Sequence, residues 1–178
     1  MNKNYYFDMD GVVVTYNIDA FLGDNPLYLK PNAHYFKNLS PDRTMLEVID
    51  QMHQRSRYTG DHIYLLTSLP MEGSIFNEHF HDKISWVNQW LPYLDIDSIL
   101  ISVTSKREAA EYITNHKLSK NDILVDDYNK NLHDWEHHGG ISIKYCNGIN
   151  SPESFHGTKI YHTDPAETII TKLNAINE

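Results

Sequence analysis

The sequence predicts an α/β fold in which a mostly parallel sheet is covered by helices on both faces. Short β-type apolar runs alternate along the chain with longer segments whose apolar residues recur at helical spacing. Connections of this kind are right-handed βαβ crossovers, which place successive strands parallel in one sheet. The 178 residues fit a single domain, and a hydrophobic content of 40% is sufficient for a packed core.

Six short segments have the composition of β-strands. They are rich in β-branched and aromatic residues, and turn-forming or charged residues bound them. In chain order they are residues 5–7, 62–66, 99–101, 123–125, 141–145 and 159–161.

Five further segments carry apolar residues at helical spacing. Ser40-Pro41 predicts the start of the first, with serine as the N-cap and proline at the first helical position. Asp164-Pro165-Ala166-Glu167 has the spacing of a capping box and predicts the start of the last. The other three helices are predicted over 75–91, 107–116 and 129–138. The apolar face predicted for helix 75–91 consists of Phe76, Phe80, Ile84, Val87 and Leu91.

The composition excludes several classes of protein. A net charge of −9 argues against binding to nucleic-acid polymers, because such binding depends on Lys and Arg neutralising phosphates. A single cysteine, Cys146, excludes a scaffold held by internal disulfides. No apolar run approaches the roughly 20 residues that span a bilayer, and the N-terminus has no apolar signal region. We therefore expect a cytoplasmic protein that does not associate with membranes.

Polar residues end or follow three of the predicted strands, where open parallel sheets bind their ligands. Because the strands are parallel, these side chains should gather at one edge of the sheet. Four carboxylates there would repel one another unless a cation lay among them, and their hard oxygens suit Mg²⁺. Such an ion would attract a phosphate group. The residues are Asp8, Asp10, Thr67, Ser68, Asp126 and Asp127.

Each of these pieces also has a purely structural explanation. Asp10-Gly11 is a common turn signal, and Thr67-Ser68 is a suitable cap for the helix that follows. Such explanations cover one turn at a time, and they do not account for strand-end acids that all fall on the same edge.

The order of these residues resembles the four motifs of the haloacid dehalogenase superfamily. Asp8-Met9-Asp10-Gly11-Val12 comes first, Thr67-Ser68 second, Lys106 third and Asp126-Asp127 last. Response-regulator receiver domains use similar residues, but their paired acids come first in sequence. Dehalogenases themselves lack the second acid of the first motif, so Asp10 points to phosphoryl chemistry. The resemblance implies a Rossmann-like fold of the haloacid dehalogenase type in one domain over residues 1–178.

Within this superfamily the sequence is similar to the 5'(3')-deoxyribonucleotidases, in particular to their bacterial and phage branch. The aromatic Tyr16 lies just downstream of the first motif, as in that family. The resemblance covers nearly the whole chain and implies a phosphoric monoester hydrolase. The other segments that match in order and approximate spacing are 35–39, 83–87, 123–132 and 147–150.

The resemblance implies hydrolysis in two displacements through a covalent aspartyl phosphate. Asp8 would be the nucleophile, and Asp10 would be the general acid and then the general base. Mg²⁺ would be held by the Asp8 carboxylate, the Asp10 backbone carbonyl and Asp127. Asp126 would support this metal site by orienting the residues around it.

The phosphoryl oxygens would be bound by Thr67 and Ser68 through hydroxyl groups and by Lys106 through its charge. Lys117 and Lys120 are alternatives to Lys106 because they are nearer in sequence to the paired acids. We prefer Lys106, since it lies just past a strand end beside the other strand-end groups.

Residues 15–34 occupy the position of the family's helical cap, but this segment is much shorter than the cap of the mammalian enzymes. Tyr16 matches the aromatic position that stacks on a base in the family, and stacking holds any base. Packing of the cap against the core is an equally good explanation for Tyr16. A short cap also raises the possibility that a second subunit covers the site, so a homodimer is a further hypothesis.

The histidines that lie in pairs do not predict a zinc site. His79 and His81 are two residues apart on a helix and point in different directions, and no cysteine cluster accompanies them. His137 and His138 lie near a helix end, where a positive charge favours the helix dipole.

The main hypothesis is a Mg²⁺-dependent phosphatase for a small phosphorylated metabolite, a (deoxy)ribonucleoside monophosphate. One alternative is a phosphatase for another small ester such as a sugar phosphate. A second is a non-catalytic protein that only binds Mg²⁺ and phosphate. The presence of Asp10 disfavours the non-catalytic protein, because a metal site alone needs only a backbone carbonyl at that position.

Overall fold

The computed structural model describes residues 2–15, 17, 29–69, 75–150 and 153–176. In these residues strands and helices alternate as far as the fifth strand, and the sixth strand then follows with no described helix between the two. Two short 3-10 turns lie at Phe36–Asn38 and Ile96–Ser98. The strands are β1 (Asn4–Phe7), β2 (His62–Ser68), β3 (Ile99–Ser102), β4 (Asp122–Asp126), β5 (Ile141–Cys146) and β6 (Thr158–Tyr161). The helices are α1 (Arg43–Thr59), α2 (Ile75–Trp90), α3 (Lys106–Thr114), α4 (Asn129–His137) and α5 (Ala166–Asn174).

The six strands form one sheet in the order β3-β2-β1-β4-β5-β6, and every pairing is parallel. The first strand of the chain therefore lies inside the sheet between β2 and β4. Its last residue, Phe7, pairs with Leu65 on one side and Val125 on the other. This confirms the predicted α/β fold with a parallel sheet.

Two apolar clusters lie on the two faces of the sheet, because side chains alternate along each strand. Tyr5 and Phe7 of β1 belong to the cluster that packs against α1, α2 and α5. Tyr6 belongs to the other, which packs against α3 and α4. The helices thus cover both faces, as the sequence predicted.

The start of α1 differs from the predicted start at Ser40-Pro41. The helix begins at Arg43, and its N-cap is Asp42, whose side chain accepts a hydrogen bond from the Met45 backbone N–H. Residues 40–42 are instead bonded to the turn after β1: Thr15 N–H donates to the Ser40 carbonyl, and Pro41 forms an antiparallel bridge with Val14. These contacts keep Ser40 and Pro41 out of the helix.

The capping box predicted at Asp164 is also wrong. The N-cap of α5 is Pro165, and no side chain caps the helix. Asp164 accepts hydrogen bonds from the Tyr161 backbone N–H and from Lys172, so its carboxylate connects β6 to α5 instead.

The predicted apolar face of α2 is only partly correct. Val87 and Leu91 are buried, but Phe80 is 37% exposed, and Phe76 and Ile84 are only partly buried. The helix buries a different face from the predicted one, because it packs against the Phe36–Asn38 turn. Its polar residues contact charged partners there and at the sheet edge. Its remaining buried residues are His79, Asp82, Lys83 and Trp86.

The predicted cap at 15–34 falls largely outside the described residues, and so does Tyr16. Among the helices of the described ranges, none combines the length and the apolar character that crossing a membrane requires.

Asp122 is a buried acid at the amino end of β4, at the sheet edge opposite Asp8 and Asp126. Its carboxylate accepts hydrogen bonds from Asn4, Tyr6 and Ser119 and contacts His116. Burial opposes its charge, but the hydrogen bonds from Asn4, Ser119 and His116 prevail and lower the pKa of Asp122. Burial likewise opposes the charge of His116, yet Asp122 raises the pKa of His116 overall.

We expect Asp122→Asn to reduce the free energy of unfolding at neutral pH by about 3 kcal/mol, because it removes a buried charge from paired donors. A carboxyl with a lowered pKa in the folded state stabilises above its unfolded pKa of about 4, and this stabilisation disappears as the pH falls through the folded value. Urea unfolding should therefore show a difference from wild type that shrinks in acid. A difference that is equal at neutral and acid pH contradicts this account.

His116→Gln tests the opposite dependence of stability on pH. A histidine with a raised pKa stabilises fully below its unfolded pKa of about 6.5, and this stabilisation is lost as the pH rises through the folded value. The difference between wild type and His116→Gln should accordingly be present in mild acid and vanish at alkaline pH.

Candidate active site at the carboxyl edge of the sheet

The strand-end residues come together because β1, β2 and β4 are parallel neighbours. Asp8 directly follows β1, Thr67 is the penultimate residue of β2, and Asp126 ends β4 with Asp127 next in the chain. All of them therefore lie at the carboxyl edge near the centre of the sheet, where such folds bind ligands.

Three carboxylates form the centre of the site. Asp8, Asp126 and Asp127 are all buried, and each offers an oxygen within 4.8 Å of the others. Burial raises the pKa of Asp8 well above its usual value: Lys106 opposes this shift, while Asp126, Asp10 and Asp127 add to it. Burial, reinforced by Asp126, raises the pKa of Asp127 to about 6. Carboxylates held this close are suited to a divalent cation, which would restore their ionised form.

Lys106 is the cation that separates two of these acids. Its Nζ lies 2.5 Å from Asp8 Oδ1 and 2.6 Å from Asp126 Oδ2. Burial disfavours the charge of Lys106, but Asp126 and Asp8 outweigh burial, so the pKa of Lys106 is raised. The structure thus brings Lys106 to the site; its expected role in binding phosphoryl oxygens stays a prediction.

The paired acids after β4 have different hydrogen-bond partners. Asp126 Oδ1 accepts a bond from the Tyr128 backbone N–H, and Oδ2 accepts bonds from Lys106 and from Asn131. These bonds fix Asp126 in place, which fits the supporting role predicted for it.

Asp127 is held from another direction. Its Oδ2 accepts hydrogen bonds of 2.7 Å from both Asn147 and Asn150, and its backbone carbonyl accepts one from the buried Lys144. The loop after β5 therefore orients the carboxylate that is the predicted metal ligand.

Asp10 lies beside this cluster and contacts a lysine that the sequence analysis did not single out. Lys83 of α2, which is fully buried, donates hydrogen bonds to Asp10 Oδ2 and to Thr67 Oγ1. The Thr67 hydroxyl also lies 3.5 Å from Asp10 Oδ2. Asp10 Oδ1 is buried and has no hydrogen-bond partner within the described part of the chain.

Gly11 lets the chain turn directly behind the carboxylates. It has a φ of +87°, in the left-handed region that favours glycine. A Cβ at this position would lie 2.5 Å from Asp127 Oδ2 and 3.0 Å from Asn147 Nδ2. Only glycine therefore allows the first-strand turn to approach Asp127 this closely.

A cleft of about 330 Å³ opens next to Lys106. Ser68 is exposed and forms part of the wall of this cleft, and its predicted role in binding phosphoryl oxygens stays a prediction. Arg107, Lys130 and the half-exposed Tyr128 also line the cleft. The predicted base-stacking residue, Tyr16, lies outside the described residues, so its role stays a prediction.

The sequence did not predict four residues of the site, because they contact partners that are distant in the chain. The sequence did contain a signal for Lys83. It precedes Trp86 by three residues and Val87 by four, so helical spacing places it on the same buried face. Asn147 and Asn150 had no such signal, because asparagines around a glycine are ordinary turn residues. The fourth is Lys144, which lies inside a buried strand.

Solved structures of haloacid dehalogenase-superfamily proteins share this fold. A haloacid dehalogenase-like hydrolase from Streptococcus pneumoniae has a TM-score of 0.63 and 10% identity, covering 96% of this chain and 98% of that one. A "predicted phosphatase" from Clostridium acetobutylicum has a TM-score of 0.65 and 14% identity, covering 98% and 99%. A superfamily hydrolase from Ehrlichia chaffeensis has a TM-score of 0.55 and 14% identity, covering 99% and 100%.

At these identities the likeness shows the fold, so the predicted Rossmann-like fold of the haloacid dehalogenase type is confirmed. No protein-family model and no curated protein sequence matches the chain. The narrower resemblance to the deoxyribonucleotidases stays a prediction.

We expect Gly11→Ala to weaken Mg²⁺ binding about tenfold or more, because its Cβ displaces a carboxylate that two asparagines hold. The measurement is the Mg²⁺-dependent rise in melting temperature. Gly60→Ala is the matched control: Gly60 also has a positive φ, +76°, but it ends α1 and meets only the side chain of Asn2. Equal Mg²⁺ affinity in the two variants contradicts the inference that a Cβ at position 11 displaces the Asp127 carboxylate.

Proposed function

We propose that this protein is a Mg²⁺-dependent phosphatase that hydrolyses phosphate monoesters of nucleotides, with Asp8 as the nucleophile. The observation that carries the proposal is the convergence of Asp8, Asp126 and Asp127 with Asp10 at the centre of the carboxyl edge. The haloacid dehalogenase-type fold of the chain supports it, since two hydrolases and a protein described as a "predicted phosphatase" are among the structures that share this fold.

The residues present fit a magnesium ion. Asp8 and Asp127 are buried acids whose pKa values are raised in its absence, which is the electrostatic condition that a dication relieves. The Asp8 and Asp127 carboxylates and the Asp10 backbone carbonyl would hold the ion. It would supply positive charge that offsets the charge of the transferring phosphoryl group.

The chain's own residues would carry the two displacements. Asp8 attacks phosphorus, the bond to the leaving oxygen breaks, and Asp10 gives that oxygen a proton. Water then attacks the aspartyl phosphate and gives its proton to Asp10, which releases inorganic phosphate and restores Asp8. Lys83 and Thr67 both contact Oδ2 of Asp10 and so orient its carboxyl group for the two proton transfers.

Phosphoryl oxygens would be bound beside these carboxylates by Thr67, Ser68 and Lys106. Lys83 contacts the Thr67 hydroxyl at 2.7 Å and so adds a second positive charge near the bound group. Fixed cations and hydroxyls in a buried site stabilise developing negative charge more than water does.

The cleft beside Lys106 supports a nucleotide as the substrate. Its wall carries the cations Arg107 and Lys130 together with the acids Glu108 and Asp134, so its charge is balanced. The ring of Tyr128 in the same wall is 52% exposed. An exposed ring next to the phosphate position offers a surface on which a base of any identity stacks. The acidic chain, with its net charge of −9, favours a small phosphorylated metabolite over a polymer.

We expect Mg²⁺-dependent release of inorganic phosphate from nucleoside monophosphates, and we expect Asp8→Asn to abolish it. The substitution keeps the size of the side chain and removes the nucleophile, so circular dichroism should show an unchanged fold. A panel of ribo- and deoxyribonucleotides and sugar phosphates is the measurement, with chelator as the control for the metal.

Each result of the panel decides a different part of the proposal. Turnover of sugar phosphates without turnover of nucleotides would overturn the substrate while leaving the phosphatase. Binding of Mg²⁺ and phosphate with no turnover of any ester by the wild-type protein would overturn the phosphatase itself.

We expect Lys83→Met to lower kcat about 100-fold, because it removes the donor that orients Asp10 and Thr67. Methionine retains most of the buried volume of lysine, so a small change in melting temperature separates lost chemistry from lost packing. Lys37→Met is the matched control, since Lys37 is an exposed lysine in the neighbouring Phe36–Asn38 turn. Equal kcat values for the two variants contradict a positioning role for Lys83.

A further inference from the structure

A second cluster of metal-ligating side chains lies where α2 meets the segment before the Phe36–Asn38 turn. His34, Glu78 and Asp82 each offer a ligand atom within 4.8 Å of the others. Glu78 and Asp82 are four residues apart on α2 and so share one face of the helix. None of the three belongs to the carboxyl-edge site.

Asp82 is a buried acid whose hydrogen bonds are incomplete. Its side chain is 4% exposed, and Oδ1 lies 2.9 Å from Nδ1 of His34. Oδ2 is buried and has no hydrogen-bond partner in the part of the chain that the structure describes. A buried carboxylate oxygen without a donor is unfavourable, and a bound cation is one of the groups that satisfies it.

Glu78 is already oriented toward the cluster. Its Oε2 accepts the backbone N–H of Asn32 at 2.6 Å, and Oε1 accepts that of His34 at 3.0 Å. The bond from His34 is the main cause that lowers the pKa of Glu78, so the group is ionised at neutral pH. Each oxygen retains a lone pair, since a carboxylate has about four acceptor sites.

We propose that His34, Glu78 and Asp82 form a second metal site, which takes Zn²⁺ and fastens the 32–34 segment to α2. One imidazole and two carboxylates suit Zn²⁺ better than Mg²⁺, because imidazole is a preferred ligand of zinc and a poor one of magnesium. In tetrahedral zinc sites with bonds of about 2.0–2.1 Å the ligand atoms are about 3.4 Å apart. The ligand atoms of the cluster lie within 4.8 Å of one another, so side-chain rotations would bring them to this spacing.

The exposure of the cluster also fits an ion that enters from solvent. The His34 side chain is 55% exposed while Asp82 is buried, so the cluster opens outward over a buried carboxylate. Water would complete the coordination at the open position.

The location gives such an ion a consequence for the neighbouring site. Phe36 follows His34 by two residues, and its ring centroid lies 4.2 Å from Nζ of Lys83. Lys83 is the residue after Asp82 and contacts Asp10 and Thr67. The ion would therefore hold the aromatic ring that covers the buried lysine.

The simpler explanation is a clasp without metal, in which His34 and Asp82 form a hydrogen bond and Glu78 binds two backbone amides. That explanation accounts for every hydrogen bond in the cluster. It does not account for the buried Oδ2 of Asp82, which has no partner in the described residues. It predicts no response to zinc, so the two explanations differ in a measurable way.

The test is a Zn²⁺ titration of the chelator-treated chain, with Mg²⁺ in large excess to occupy the proposed magnesium site at the carboxyl edge. We expect one Zn²⁺ per chain by calorimetry. We also expect the melting temperature to rise by about 5–10 °C when zinc exceeds its Kd about a hundredfold. Asp82→Asn and His34→Ala should each lose both responses, measured against their own metal-free forms.

Two control variants make the test specific. His81→Ala removes an exposed histidine of the same helix that is not one of the three clustered residues, and it should bind zinc as wild type does. Asp8→Asn should do so too, which separates this site from the proposed catalytic one. Zinc responses that are absent in wild type, or that survive in Asp82→Asn, overturn the proposal and leave the metal-free clasp.

Discussion

The charge balance at the carboxyl edge of the sheet is the constraint on which the rest of the site depends. Four carboxylates, those of Asp8, Asp10, Asp126 and Asp127, lie in or beside a mostly buried space. The three buried lysines of the described chain all come to the same place. Lys83 binds Asp10, Lys106 binds Asp8 and Asp126, and Lys144 binds the Asp127 carbonyl.

The three lysines do not fully neutralise the four acids. The excess negative charge indicates what kind of ligand the site favours. The acids outnumber the lysines by one, and burial still raises the pKa values of Asp8 and Asp127. Lys144 compensates less than its charge suggests, because burial lowers its pKa and its hydrogen bond goes to a backbone carbonyl. A site with excess buried negative charge and shared oxygens favours a small dication, and with that dication it favours an anionic substrate.

Helix α2 connects the site to the segment that precedes α1. Its buried face carries Lys83 toward Asp10 and Asp82 toward His34, so adjacent residues of one helix contact two different charged clusters. Trp86 on the same face donates its indole N–H to the Leu39 carbonyl and fixes the chain after the Phe36–Asn38 turn. Polar residues occupy a helix face that would otherwise be apolar because each finds a charged or backbone partner there.

The sequence was sufficient for the fold and for the residues whose position follows from local pattern. Alternating strands and helices imply parallel neighbours, and parallel neighbours bring Asp8, Thr67 and Asp127 to one edge whatever the details of packing. The sequence-based prediction was wrong where the start of a helix depends on hydrogen bonds to backbone groups that are distant in the chain. Asp42 rather than Ser40 caps α1, because residues 40–42 bond to the turn after β1.

By itself, then, the sequence determined the strands, their parallel direction and the residues at their ends, because these follow from short-range periodicity and from the handedness of βαβ crossovers. Only the tertiary structure decided which cation meets which acid. Lys83 reaches Asp10 across 73 positions and Asn150 reaches Asp127 across 23. Contacts of that kind depend on how helices and loops pack over the sheet edge, and no local pattern of residues encodes a specific long-range partner.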